Sequence, residues 1–343
     1  MTTPTVTNDA EALIENLDRK SAIYKFHNVL HRFPWISPGI VLLVAIIIFG
    51  LLNERFWAIS NLSLITQQVS IVATLAIAQT LVILTAGIDL SVGAIAVFAS
   101  MVMAKTAAEQ GAPPVIALIL GLIVGTLAGA LNGFLITRLK LPPFIVTLGT
   151  LSIFTAITLI YATGKTINGK YLPDFLLVLG TPIQIGSFKI TYGVVVMLVL
   201  YGFFAYVLRN TAWGKHVYAV GDDPAAASLA GIQVNRVLFS VYVVGGLVLA
   251  IAGWIAIGRV GAASPSIIPD ANLESITAVV IGGTSLFGGR GTMIGTLIGA
   301  ILVGVVSNGL VLAGLDQAYK VLAIGILVIV AVALDQWIRK VRA

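Results

Sequence analysis

Cysteine is absent from the 343 residues, which excludes disulfides, thiolate catalysis and cysteine-ligated metal. Charge is scarce as well. Only 10% of the residues are charged, against about 25% in a soluble domain, so water is not the main solvent of this chain. Histidine is limited to His27, His31 and His216, all outside the apolar runs. Neither a metal centre nor a cofactor is expected. What fills the chain is apolar: 58% of it is hydrophobic, with a mean hydropathy of +1.04. The expectation is an all-α, polytopic integral membrane protein in contact with lipid. The net charge of +6 does not point to nucleic acid, because the basic residues are scattered between apolar runs, where they act as topology signals. No cleavable signal peptide is expected, since Asp9, Glu11, Glu15 and Asp18 precede the first apolar run.

The charge-free runs cover 33–53, 56–88, 90–104, 110–137, 141–164, 175–188, 190–208, 237–258, 275–289, 291–315 and 321–334. A crossing helix needs about 20 apolar residues. The 175–188 run is short and carries Gly180, Pro182 and Gly186, so it reads as an external loop or a surface hairpin. Runs 90–104, 275–289 and 321–334 are short but can borrow from their neighbours, giving about ten transmembrane helices. The domain reading is a tail over 1–32, a membrane domain over 33–335 and a second tail over 336–343. Leu13, Leu17 and Tyr24 could form one interfacial helix face in the first tail. With the N-terminus inside, thirteen Lys and Arg residues fall on inner segments and seven on outer ones, which puts both termini in the cytoplasm. Trp35, Trp57, Trp213 and Trp337 fall near span ends, as an aromatic belt would place them. Gly125–Ala130 (GTLAGA) recurs as Gly295–Ala300 (GTLIGA) in the opposite direction. The match is a candidate inverted repeat, although spaced glycines are also ordinary helix-packing grammar.

The stretch 209–236 is the longest near the middle of the chain that cannot sit in lipid. Asp222 and Asp223 precede Pro224, and Asp223 with Pro224 reads as an N-cap followed by proline at the first helical position. Ala225, Ala226, Ala227, Ser228, Leu229 and Ala230 favour helix, and Gly231 supplies a stop. A short capped helix held at a membrane surface suits docking of a partner from outside the membrane.

Polar residues within the apolar runs are the other candidates. Asp89, in Gly87–Gly93, interrupts two such runs. A carboxylate in hydrocarbon costs about 2.5–3.5 kcal/mol on insertion scales. It is therefore a substrate contact, a proton site or a gate, or else a surface loop residue capping the helix that begins near Ser91. Gln67, Gln68, Thr80, Thr85, Asn132, Thr147, Thr150 and Asn308 suit a neutral, hydroxyl-rich solute that needs hydrogen bonds without a counter-charge. They serve interhelical hydrogen bonding equally well. The segment Thr284–Gly291, preceded by Gly282 and Gly283, lacks the Lys-Ser/Thr pair of a phosphate loop. It reads as a tight turn between spans, able to meet the same partner as the central loop.

Four motifs in order (Gly87–Gly93, Leu141–Thr150, Trp213–Gly221 and Val279–Thr292) resemble the permease subunits of bacterial ABC importers for pentoses and hexoses, of the ribose, xylose, arabinose, galactose and fructose types. The resemblance covers roughly 36–335 and implies a multi-pass protein of the inner membrane that carries a monosaccharide and is not itself an enzyme. Its implied partners are a second permease copy, two cytoplasmic ATP-binding subunits that hydrolyse ATP, and a periplasmic sugar-binding protein. In the family the segment matching Asp223–Gly231 resembles the coupling loop. Where that loop often reads Pro-Glu-Ala-Ala, this chain has Ala225, so Asp222 or Asp223 would have to supply the carboxylate. The alternative reading is a self-sufficient secondary transporter or facilitator with Asp89 as its ion site.

Overall fold

The computed structural model describes residues 36–340. The tail expected over 1–32, its interfacial face at Leu13, Leu17 and Tyr24, and Trp35 lie outside the described residues. In chain order the helices are α1 Ile36–Leu52, α2 Ile59–Leu84, α3 Val92–Ala108, α4 Pro114–Arg138, α5 Pro143–Ala162, α6 Asp174–Leu177 and α7 Tyr192–Asn210. They continue with α8 Ala212–Asp222, α9 Pro224–Leu229, α10 Val234–Val260, α11 Ala271–Ile281, α12 Met293–Leu312 and α13 Gln317–Lys340. The last helix runs on through Lys340, past the boundary expected at 335. Among the described residues, six helices (α2, α4, α5, α7, α10 and α12) are long and apolar enough to cross a membrane.

The all-α expectation needs one amendment. Two small antiparallel pairs are present: Ile167–Asn168 (β1) with Ala262–Ala263 (β4), and Pro182–Ile185 (β2) with Phe188–Thr191 (β3). The second pair is a hairpin that begins in the short run 175–188 and extends to Thr191, turning at Gly186 with φ +61°. Glycine reaches that left-handed region without steric cost.

The bundle is arranged around α2 and α10. The apolar window of α2 is 83% buried and that of α10 is 67% buried, against 28% in α5. Apolar side chains on α1, α4, α5 and α7, such as Leu43, Leu127, Ile160 and Val199, point outward instead. That pattern suits lipid as the surrounding solvent. Lipid tails are as apolar as leucine, so helices there associate through close backbone approach. Gly125 and Gly129 of α4 face Gly246 of α10, and a Cβ on Gly125 would lie 2.9 Å from the Gly246 carbonyl oxygen. Gly295 and Gly299 of α12 do the same against Gly282, which caps α11, and Ala278 within it. Each copy of the recurring GTL-x-GA stretch is thus a helix-packing seam against a different partner.

The run 275–289 is expected to contribute a span, but only 275–281 are helical, completing the 11-residue α11 that begins at Ala271, and a turn follows. At 1.5 Å per residue this helix is about 16 Å long, roughly half of a hydrocarbon core about 30 Å thick. The cause is local. Gly283, Gly288, Gly289 and Gly291 take φ values of +86°, +83°, +70° and +154°, and helix cannot continue through them.

Candidate functional site

Helix α7 ends at Asn210, and the Thr211 side chain accepts a hydrogen bond from the Gly214 amide at 3.2 Å to start α8. Helix α8 turns Gly214, Val217, Val220 and Gly221 inward. It is held by two side-chain bonds. Trp213 Nε1 donates to Ser240 Oγ at 2.8 Å, and the Tyr218 hydroxyl donates to the Gly291 carbonyl at 2.9 Å. Burial pushes the Tyr218 phenol above its ordinary pKa, which keeps it a neutral donor. The chain then breaks at Asp223, with φ −151° and ψ 102°. Asp223 Oδ1 accepts from the amides of Ala225 at 2.8 Å and Ala226 at 3.0 Å, with Pro224 in the first helical position.

The far end of α9 is closed just as locally. The Gly231 amide donates to Ser228 O and the Ile232 amide to Ala227 O, both at 3.0 Å, with Gly231 at φ +82°. This pair of bonds is a Schellman closure, which needs a left-handed residue where Gly231 sits. The six-residue helix buries only Ala227. Asp222, Asp223, Pro224, Ala225 and Ala226 are exposed, and Leu229 is 92% exposed.

At the end of α8, just before this helix, three chain segments meet at backbone distance. The Gly289 amide donates to Leu84 O at 3.0 Å. A Cβ on Gly221 would run into the same Leu84 oxygen, and a Cβ on Gly288 would come within 2.5 Å of Gly221 O. Ala86, beside them, holds a left-handed φ of +59°, a conformation that costs an L residue roughly 1–2 kcal/mol. The turn at 284–291 expected to share a partner with the central loop is therefore packed against that loop and against the end of α2.

Asp89 lies one step further in. It is buried, not at the surface, and its carboxylate accepts from the Ser91 amide at 2.7 Å and the Ser91 hydroxyl at 2.6 Å. Asn132 Nδ2 on α4 donates to Ser91 Oγ at 2.9 Å, and Thr147 Oγ1 on α5 donates to Ile88 O at 3.1 Å. The capping expectation is not met: Asp89 forms a turn with Ser91, two residues on, and α3 has no side-chain cap on its first amides.

The remaining sequence candidates divide. Thr80 pairs with Thr296 Oγ1 at 2.9 Å, while Thr85 and Thr150 bond to carbonyls on their own segments. The Thr284 hydroxyl is buried without a hydrogen-bond partner among the described residues. Gln67 Nε2 reaches Lys189 O only at 3.5 Å. Asn308 and Asn61 exchange amide hydrogen bonds at 2.9 and 3.1 Å.

Gln68 and Asn308 line a cavity of about 320 Å³ at the other end of the bundle. Sequence reasoning missed the charged members of that cavity: Arg259, Asp270, Glu274 and Lys320. Lys320 Nζ is 2.7 Å from Glu274 Oε1 and 3.6 Å from Asp270 Oδ2, and Gln317 Nε2 donates to Asp270 Oδ2 at 2.6 Å. Among the described residues, no group of three or more His, Asp and Glu is placed to hold a metal ion.

Comparison with known proteins adds to this geometry. A family described as the branched-chain amino acid transport system permease component matches residues 61–332. The fructose import permease protein of Rhizobium meliloti is 51% identical over 328 residues, covering 94% of this chain and 91% of its own. The ribose import permease protein of Bacillus subtilis is 39% identical over 322 residues, covering 94% and 98%. The D-allose transport system permease protein of Escherichia coli is 34% identical over 314 residues, covering 89% and 93%. No solved structure matches.

Proposed function

The chain belongs to the branched-chain amino acid transport system permease component family, and from that premise we propose that it is the membrane subunit of an ATP-binding-cassette importer for a monosaccharide. The sugar assignment is supported by relatives that are fructose, ribose and D-allose permeases. The site of action is the bacterial inner membrane, with both termini in the cytoplasm. Ten crossings are inferred: six long helices, three shorter apolar ones over Pro38–Leu52, Val92–Ala108 and Gln317–Val330, and a tenth in which the half-length Ala271–Ile281 spans only together with the chain that flanks it.

One observation carries the mechanism: α9 is exposed on its outer face and closed at both ends by its own caps, and it follows directly on α8, whose Gly221 end meets α2 and the 284–291 turn through backbone contacts. Such an element moves as a unit. A partner that closes on hydrolysing ATP would push α9, and the displacement would reach α2 and α12 without being absorbed by side-chain rotation. Asp222 and Asp223 supply the exposed carboxylates, and Ala225, Ala226 and Leu229 the small apolar contact. Two ATP-binding subunits, a second permease chain and a periplasmic sugar-binding protein complete the assembly. Asp89, Ser91, Asn132 and Thr147 set the geometry of the α2–α3 connection along the path.

The test is uptake of radiolabelled fructose and ribose by cells expressing the chain with its ATP-binding and sugar-binding subunits. Replacing the ATP-binding subunit with a variant unable to hydrolyse ATP should abolish uptake. Undiminished uptake would refute the assignment.

A further inference from the structure

We propose that the cavity between α2, α11, α12 and α13 is a binding site for a neutral polyol, a way-station where a monosaccharide rests between the sugar-binding protein and the Gly221 end. The proposal rests on the reading of the chain as a sugar permease. It starts from size: about 320 Å³ lies at the small end of ligand pockets, which run about 300–1,000 Å³. Gln68 in its wall is about 24 Å along α2 from Leu84, at 1.5 Å per residue. The cavity therefore lies well away from the coupling corner. It also has a floor, because Gly304 lets α12 close directly on Val69.

The chemistry selects the occupant. Asp270 and Glu274 bring two carboxylates and Arg259 and Lys320 two cations, so the wall is self-neutral. An ionic solute gains no preference there. A polyol can donate hydroxyls to the carboxylates and accept from Lys320 and Arg259, with aliphatic side chains of α2 and α12 against its C–H faces. Stability alone does not explain the cluster, since well-packed apolar residues often replace a buried ion pair without loss. A second observation points to a ligand. The Ser307 hydroxyl lines the cavity, is shielded from solvent, and has no hydrogen-bond partner among the described residues. A buried hydroxyl left unpaired is costly, and a sugar hydroxyl would satisfy it.

The absence of cysteine makes the test clean, because Ser307→Cys carries the only thiol in the chain. In the assembled importer in vesicles, alkylation of that thiol by a small polar maleimide is followed with and without sugar. The transported sugar, at about ten times its Kd, should slow labelling about tenfold, and the anionic sugar acid gluconate should not. In parallel, Glu274→Gln and Lys320→Met should raise the KM for uptake more than they lower the maximal rate. The exchanged pair Glu274→Lys with Lys320→Glu should restore KM. Saturable uptake with labelling indifferent to the sugar, or with only the maximal rate altered in Glu274→Gln, would overturn the way-station. Absence of any monosaccharide uptake by the unaltered importer would sink the sugar-permease reading and the way-station with it.

Discussion

At the Gly221 end of the bundle, Leu84, Gly221, Gly288 and Gly289 meet through main-chain atoms, and three of the four residues have no side chain. At the Arg259 end, long side chains from α10, the loop before α11, α11 and α13 line a cavity, and Lys320 pairs there with Asp270 and Glu274. The first arrangement cannot yield without moving whole segments, because a backbone contact has no rotamer to change. The second yields readily, because Lys320 and Glu274 can reorient about several bonds. One end suits the transmission of force and the other suits accommodation of a solute. The same apolar helices join them.

Substitutions can break this contrast, beginning at the stiff end. Gly221→Val would drive a branched side chain into Leu84 O, with Gly289 N close by. Since the obstacles are backbone, a loss of at least about 3 kcal/mol is expected, at the upper end for overpacking. Thermal unfolding of the purified chain in detergent would read it. Gly231→Pro is the more selective disruption. Proline fixes φ near −65°, whereas Gly231 sits at +82° and donates to Ser228 O. Uptake should disappear while the amount of chain in the membrane, measured by immunoblot, stays unchanged. Normal uptake by this variant would count against force entering through α9.

Smaller effects sharpen the comparison. Asp223→Ala removes the cap acceptor for Ala225 and Ala226, which costs about 1 kcal/mol. ATP hydrolysis by the partner should become less tightly coupled to uptake, so more ATP is consumed per sugar imported. Asp89→Asn should matter least. Its amide oxygen still accepts from Ser91, through neutral bonds roughly half as strong as those to a carboxylate, and uptake should fall less than about tenfold. Complete loss in that variant would assign Asp89 a role through its charge.

Legibility in the sequence followed locality. The capped helix at Asp223–Gly231 could be read because every determinant lies within a few residues: a capping carboxylate, a proline, four alanines and a left-handed glycine. The hairpin at 182–191 was within reach for the same reason. Asp89 was half legible. Its turn with Ser91 is local, but its burial depends on α4 and α5, which the sequence alone does not bring near. The charged cavity was invisible because Arg259, Asp270, Glu274 and Lys320 each resemble an ordinary loop or span-end charge. Their meeting depends on α11 being a half-length helix, and the apolar run 275–289 concealed that. Hydropathy counts residues willing to enter lipid, whereas the glycine φ values decide where the helix stops.

The most direct test of the whole scheme needs only this polypeptide. Purified and reconstituted alone into vesicles, without nucleotide or partner subunits, it is expected to build no gradient of fructose or ribose, whatever the imposed pH or sodium difference. Accumulation of either sugar against its gradient under those conditions would show that the helices carry their own motor and would contradict the account at its root.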